Sequence, residues 1–134
     1  ELIIAYQGVV AEQALAAAGQ LAGQCRDIGV LAITSADRLN AGWTAAQQAR
    51  TDGHKQATSH IETLLAGVPR HALLLTVIDG HPATLSWLGG VKGMATISHG
   101  VEHFGQTGTI GDLYQHFRLD TASLVEAVLT HSAR

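Results

Sequence analysis

The chain has 134 residues, a length typical of one domain that can bury an ordinary hydrophobic core. Its composition is 46% hydrophobic and only 14% charged, which indicates a globular domain and excludes intrinsic disorder. The formal net charge is −3, and the eight lysine and arginine residues form no cluster along the sequence. Because a phosphate backbone attracts basic surfaces, nucleic acid is not an expected partner.

The N-terminal stretch and the cysteine content indicate the cellular setting. Residues 2–10 are mostly apolar, but they follow Glu1 and are interrupted by Gln7 and Gly8. They therefore fit neither a signal peptide nor a membrane span, and no membrane partner is expected. The single cysteine, Cys25, cannot form an internal disulfide, and its helical surroundings predict burial. We expect a cytoplasmic protein, and the start without methionine in an apolar run suggests a piece of a longer chain.

The first part of the chain alternates strand and helix patterns. Leu2–Tyr6 is a continuous apolar run, typical of a strand that is covered on both faces. Ala11–Cys25 predicts a helix, and Ile28–Thr34 is a second β-rich run. Because a helix connects the two runs, we expect them to pair in parallel. The apolar face predicted for the helix consists of Leu15, Ala18, Ala22 and Cys25.

The region from residue 38 to 67 predicts two helices. Arg38–Ala57 contains a short helix pattern around Trp43, followed by a polar surface loop at residues 51–55. Ser59 and Glu62 then form the S-x-x-E pattern of a capping box. The apolar residues of this second helix are Ile61, Leu64 and Leu65, and Gly67 is predicted to end it.

Ala72–Ile78 is the most hydrophobic run of the sequence and is the predicted central strand. It ends in a polar turn that contains Asp79 and His81. In open α/β sheets, ligands bind beyond the carboxyl ends of the strands where the strand order reverses, so these two residues are candidate site residues. Ala83–Val91 is predicted to form one helix, and Met94–Val101 the last strand.

Two helices with clear N-caps are predicted at the end of the chain. Thr109 and Asp112 cap the first, and Asp120 or Thr121 begins the second. Their predicted buried residues are Ile110, Leu113, Tyr114 and Phe117 in the first helix, and Leu124, Val125, Val128 and Leu129 in the second. The alternation of strands and helices predicts a three-layer α/β/α fold with a mostly parallel sheet of four to five strands, formed by one domain over residues 1–134.

The pattern H-x-x-E-H, formed by His99, Glu102 and His103, suggests a zinc hydrolase in which two histidines bind the metal. Such a site needs both histidines on one face of a helix. The residues before His99 are β-forming, Gly100 lies inside the motif, and a turn follows. In a strand, the two histidines would be roughly 13 Å apart, too far to share one ion. We therefore interpret the motif as a strand end, with the hydrolase as an alternative.

Gly105–Gly111 is glycine-rich and leads into a helix N-terminus, which permits two interpretations. The free N–H groups of such an N-terminus can bind an anion. The segment lacks the Lys-Ser/Thr of a P-loop, however, and its spacing differs from G-x-G-x-x-G. A turn that needs glycine for its backbone conformation is the simpler interpretation.

The C-terminal third resembles a known family. The matching positions are His103 to Thr107, Asp112-Leu113-Tyr114, His116-Phe117, Asp120 and Leu124 to Val128. They are similar to the closing signature of transketolase-type C-terminal domains, in which a Phe-Gly pair precedes a short helix and a last helix. Ile33-Thr34-Ser35 with Leu39, Gly42 and Trp43 resembles the second strand and loop of the homodimeric pyruvate dehydrogenase decarboxylating component.

This resemblance implies a thiamine diphosphate-dependent oxidoreductase of pyruvate metabolism. Such enzymes use thiamine diphosphate and Mg²⁺ to decarboxylate a 2-oxo acid and pass the acyl group to a lipoyl carrier acyltransferase component. The cofactor lies between the first two domains of partner subunits, and the third domain contributes dimer contacts. This chain has no Gly-Asp-Gly motif with a downstream asparagine for magnesium diphosphate. We therefore expect an inactive fragment that binds no cofactor itself, with its own other domains and a second subunit as partners.

The expected role of the domain is structural, in a homodimeric parent whose sheet has five strands with the first antiparallel. The candidate structural and interface residues are Asp79, His81, His103, Phe104, Gly105 and Thr107. Gln106 stands where pyruvate-specific relatives tend to have a basic residue. The C-terminal domain of a transketolase, with carbohydrate chemistry, therefore remains an alternative.

Overall fold

The computed structural model describes residues 1–24, 27–102 and 108–132. Four strands are present in these ranges: β1 (Leu2–Gln7), β2 (Ile28–Ala32), β3 (Leu73–Ile78) and β4 (Thr96–His99). The helices are α1 (Ala11–Leu21), α2 (Ala36–Thr51), α3 (His60–Leu64), α4 (Ala83–Ser86), α5 (Leu88–Lys92), α6 (Ile110–His116) and α7 (Thr121–Ser132). Within this part of the chain, no helix combines the length and the apolar composition that crossing a membrane requires.

The four strands form one parallel sheet in the order β2-β1-β3-β4. β1 pairs with β2 on one side, with Leu2 opposite Ile28, and with β3 on the other, with Leu2 opposite Leu73. Helices connect the successive strands, as parallel pairing requires. The predicted α/β/α fold and the parallel pairing of the first two strands are therefore confirmed, with four strands in the described residues.

Each face of the sheet is covered by its own hydrophobic cluster. Alternate residues of β1 and β3 point to opposite faces because the side-chain period of a strand is two. One cluster joins Leu2, Ile4 and Leu75 to helices α1 and α7. The other cluster joins the remaining faces of β1 and β3 to helices α2 to α5. Every residue of β3 is at most 7% exposed, so the prediction of a central strand is confirmed.

The buried face predicted for α1 is wrong except at Ala18, which is partly buried against the core. Leu15 is 51% exposed, and Ala22 lies beyond the helix. The residues that face the core are Val10, Ala14, Ala17 and Leu21. Because alanines occur all around this helix, apolar spacing fits more than one face, and the small side chains of Ala14 and Ala17 allow the closer approach to the sheet. Cys25 lies outside the described residues.

Two further element predictions need correction. The short helix around Trp43 is the 16-residue α2. The single helix predicted for Ala83–Val91 is two short helices, α4 and α5, that meet at Trp87. This bend lets Leu85 and Leu88 both reach the core while the Trp87 ring stacks on Trp43, with ring centroids 5.4 Å apart. The indole N–H also donates to the carbonyl oxygen of Thr84, at 2.9 Å.

The C-terminal helices begin where the caps predict, but their outer apolar residues are exposed. Thr109 and Asp112 form a reciprocal capping box at the start of α6, and α7 begins at Thr121. Ile110 is 73% exposed and Leu129 is 39% exposed, so both predictions of burial are wrong. In α6, every residue is at least partly exposed. In α7, the buried residues are Leu124 and Val128, and these were predicted correctly.

An ion pair joins α2 to α3. The Arg50 guanidinium lies 3.0 Å from Glu62 Oε2 and donates to Glu62 Oε1 at 3.2 Å. The Ser59 hydroxyl and backbone N–H also donate to Glu62 Oε1, at 2.7 and 3.0 Å, which confirms the predicted capping box. Burial of the carboxylate acts to raise the pKa of Glu62, but the hydrogen bonds and the charge of Arg50 outweigh it and hold the pKa below the ordinary 4.5.

We expect Glu62→Gln to lower the free energy of unfolding at pH 7 by about 1 kcal/mol, because a charged acceptor of several hydrogen bonds is lost. The carboxylate is stabilising above its unfolded-state pKa, about 4.3. That contribution disappears as the pH falls through the lower folded-state pKa. Urea denaturation at pH 7 and at about pH 3 measures this. The difference between the two proteins should be smaller at the lower pH, and an equal difference at both pH values would contradict the assignment.

Candidate functional site

The carboxyl ends of all four strands lie along one edge of the sheet, because the strands are parallel. β1 leads into Gly8, β3 into Asp79 and β4 into Gly100. β1 has β2 as its neighbour on one side and β3 as its neighbour on the other. The strand order therefore reverses between β1 and β3, where α/β sheets usually offer a ligand crevice.

The exposed Asp79 carboxylate lies against Gly8 at the reversal point. A Cβ atom added to Gly8 would lie 2.2 Å from Asp79 Oδ1 and 2.8 Å from its carboxyl carbon. Gly8 also has a φ of +90°, a conformation that is strained for other residues. The carboxylate at the end of β3 therefore lies against the backbone at the end of β1, in space that a ligand at this position would need.

The exits of β3 and β4 are also in close contact. The Val101 N–H donates to the carbonyl oxygen of Gly80, at 2.7 Å. A Cβ atom on Gly100 would lie 2.5 Å from that oxygen and 2.8 Å from the nitrogen of Pro82. Only glycine permits this approach of the two backbones. Contacts within the chain therefore join the exit of β1 to that of β3, and the exit of β3 to that of β4.

His81 has a local role at the start of α4. Its Nδ1 atom accepts a hydrogen bond from the backbone N–H of Ala83, at 3.1 Å, and its side chain is exposed. The two predicted site residues Asp79 and His81 therefore do lie at the carboxyl edge of the central strand, as expected. The other predicted structural and interface residues, His103, Phe104, Gly105 and Thr107, lie outside the described residues, as does Gln106.

His99 is the last residue of β4, so its interpretation as a strand end is confirmed. Its Nδ1 atom lies 2.9 Å from the carbonyl oxygen of Arg118. Because a carbonyl oxygen can only accept, Nδ1 carries the proton, and Nε2 of the neutral ring has a free lone pair. Backbone carbonyls often orient metal-binding and catalytic histidines in this way.

Arg118 has an unusual backbone conformation for its residue type. Its φ is +58°, at the position after the α6 C-cap where glycine is usually found. The Leu119 N–H donates to the carbonyl oxygen of Tyr114 at 2.7 Å, which closes the end of the helix, and the Leu119 side chain is buried. The Arg118 side chain is exposed and lines two adjoining cavities of about 870 and 370 Å³.

A complete metal site is not assembled by the described residues. His99 and Glu102 line the smaller cavity together with His116. Among residues 1–24, 27–102 and 108–132, however, no three histidine, cysteine, aspartate or glutamate side chains are placed to share one ion. His103, the second histidine of the H-x-x-E-H pattern, is not among those residues.

The larger cavity is a groove between β4 and α7, which we call the β4 groove. It is lined by residues 95–99, by Gln115 and Arg118, and by α7 residues from Ser123 to His131. Sequence reasoning missed this groove because neither its strand nor its helix carries a recognisable motif. It also missed Gly8 and Gly100, whose roles depend on backbones that approach from distant parts of the sequence.

Comparisons with known proteins provide no assignment. The chain matches no protein-family model, and a search of curated proteins also finds no match.

We expect Gly8→Ala to lower the free energy of unfolding by about 1–2 kcal/mol, because the backbone has a positive φ and the new methyl group must push the exposed Asp79 carboxylate aside. Gly19→Ala is the matched control, since Gly19 lies in α1 with open space around it. This control should raise stability by about 0.5–1 kcal/mol.

The combined variant Gly8→Ala/Asp79→Ala tests the contact itself. Removal of the carboxylate should recover part of the loss in urea denaturation, while the cost of the positive φ remains. Strictly additive effects of the two substitutions would show that Asp79 does not occupy this space.

Proposed function

We propose that this chain is the C-terminal domain of a thiamine diphosphate-dependent 2-oxo acid dehydrogenase decarboxylating component, with a role in assembly and not in catalysis. The proposal is supported by the resemblance of residues that the structure describes, including Asp112-Leu113-Tyr114, Asp120 and Leu124 to Val128. These residues belong to α6, α7 and the connection between them. The α/β/α fold with a parallel sheet is compatible with the fold that the resemblance implies.

The observation that carries the structural role is the occupied crevice between β1 and β3. The Asp79 carboxylate lies against Gly8 at the point where a nucleotide-binding α/β domain would receive its ligand. A ligand there would have to displace this carboxylate and would meet its negative charge. The binding of a metal-free diphosphate at this edge is therefore disfavoured electrostatically.

In the proposed parent enzyme, thiamine diphosphate and Mg²⁺ bind to the other domains, and a lipoyl carrier receives the acyl group. This domain then supports the dimer through contacts with its own chain and with a second subunit. The proposal favours pyruvate as the 2-oxo acid. The transketolase alternative places the same structural domain in an enzyme of different substrate class.

Isothermal titration calorimetry tests the assignment of chemistry to other domains. We expect the 134-residue domain to give no binding heat with thiamine diphosphate and MgCl₂, because the chain has no Gly-Asp-Gly motif to hold magnesium diphosphate. A known thiamine diphosphate enzyme serves as the positive control. Saturable binding in the micromolar range by this domain, corresponding to roughly −8 kcal/mol, would refute the structural role.

A metal-dependent hydrolase is the second candidate, and one observation favours it. The His99 ring is oriented by the Arg118 carbonyl so that Nε2 is free to bind an ion, in a cavity that also contains Glu102 and His116. This candidate predicts about one equivalent of zinc in protein purified without added metal, and loss of that zinc in His99→Ala. On the structural proposal we expect elemental analysis to find less than about a tenth of an equivalent in both proteins.

A further inference from the structure

One wall of the β4 groove is the outer edge of β4, which pairs with no other strand among the described residues. The Leu74 N–H donates to the carbonyl oxygen of Ala95, at 2.9 Å, and Leu74 is the register partner of Thr96. In a parallel sheet, the backbone groups of every second residue bond to the same neighbouring strand. The N–H and C=O groups of Ile97 and His99 therefore also point toward β3. The N–H and C=O groups of Thr96 and Ser98 consequently point away from β3, into the groove.

The opposite wall of the groove is one face of α7. Ser123, Ala127 and Thr130 line it at helical spacing, and their small side chains leave the space beside β4 open. From Ser123 to His131 the helix rises by about 12 Å. Ala95 to His99 spans about 13 Å of strand. The two walls therefore match in length and enclose a cavity of about 870 Å³ that runs along the whole of β4.

The charges in the groove are unevenly distributed along its length. Arg118 lines the end at which β4 terminates, beside His99. Glu126 and His131 lie further along α7, away from that end. Asp120 is near Arg118 in sequence, but its carboxylate accepts hydrogen bonds from the N–H and hydroxyl of Ser123 and caps α7. Glu102 lines the adjoining smaller cavity together with Arg118, so this end of the groove carries the positive charge of Arg118 near one carboxylate, and no ion pair joins the two side chains in the described residues.

β4 is short, which itself limits pairing, but its four residues include none of the side chains that usually block an edge strand. Thr96–His99 contains no proline, lysine or arginine. Natural proteins generally block open edges with such residues, with bulges or with a covering segment, because an open edge pairs readily with another chain. An edge that is open, bordered by a helix and separated from it by a strand-length cavity has the geometry used by domains that bind peptides by strand addition.

We propose that the β4 groove binds an extended segment of a partner protein, which pairs with β4 as an additional strand and places a carboxylate against Arg118. Main-chain hydrogen bonds to Thr96 and Ser98 supply the binding, and Arg118 selects a segment with an acidic residue at that end. The positive φ of Arg118 fits this role, since the sequence has an arginine where glycine would relieve strain. The groove offers this geometry whichever enzyme contains the domain.

A phage-displayed library of random eight-residue peptides provides the probe, selected on the immobilised 134-residue domain. We expect enriched sequences to contain Asp or Glu and to favour β-branched residues. Fluorescence anisotropy with a fluorescein-labelled synthetic copy of an enriched peptide then measures the affinity. The same peptide with N-methyl groups on alternate residues is the matched control, because it keeps the side chains but cannot pair along a strand edge.

Two variants locate the binding. Thr96→Pro removes an N–H that faces the groove, at the first residue of an edge strand where proline is tolerated. Arg118→Gly removes the guanidinium while easing the backbone strain, so the domain should become more heat-stable as the affinity falls by about tenfold. Lys55→Gly, in the exposed loop after α2, is the control for loss of a surface charge and should leave the affinity unchanged.

Loss of binding with the N-methylated peptide and with both groove variants is the expected result. Failure to enrich any sequence would overturn the proposal, as would enriched peptides that bind Thr96→Pro and Arg118→Gly as tightly as the original domain. Light scattering tests whether a second copy of the chain occupies the groove. A concentration-dependent dimer that becomes monomeric in Thr96→Pro would overturn the proposal of a partner protein in favour of self-association. If Thr96→Pro fails to fold, the N-methylated peptide and Arg118→Gly still decide the question.

Discussion

The parallel pairing of β1 with β3 is the constraint on which the rest of the structure depends. Both strands are buried on both faces, and the side chains of β3 contribute to both hydrophobic clusters. Even the polar Thr76 is fully buried, where its hydroxyl donates to Ser98 Oγ at 2.9 Å and so links β3 to β4. Helices cover both faces of this central pair. The other two strands, β2 and β4, form the two edges of the described sheet.

The same pairing decides where a ligand can and cannot bind. It brings the ends of β1 and β3 so close that the Asp79 carboxylate occupies the space over Gly8, and the approach of Gly100 to Gly80 closes the neighbouring position. Open space is found instead beside β4, where α7 packs on α1 and leaves a groove along the strand edge.

The sequence was most informative where burial is complete or a cap is local. The apolar runs that form β1 and β3, and the caps at Ser59 and Thr109, were predicted because each depends on neighbouring residues alone. The face of α1 was mispredicted because alanine is apolar on every side of a helix. The role of Gly8 was not predictable, since it depends on an aspartate 71 positions away that only the sheet brings into contact.

The coding sequence on the N-terminal side of this chain tests the central proposal most directly. A structural C-terminal domain of a thiamine diphosphate enzyme predicts a continuous reading frame with a Gly-Asp-Gly motif and a downstream asparagine, the residues that bind magnesium diphosphate in such enzymes. The domain described here would then follow two others. A reading frame without that motif would contradict the assignment to this class of enzymes, while the α/β/α fold and the β4 groove would remain to be explained by another parent protein.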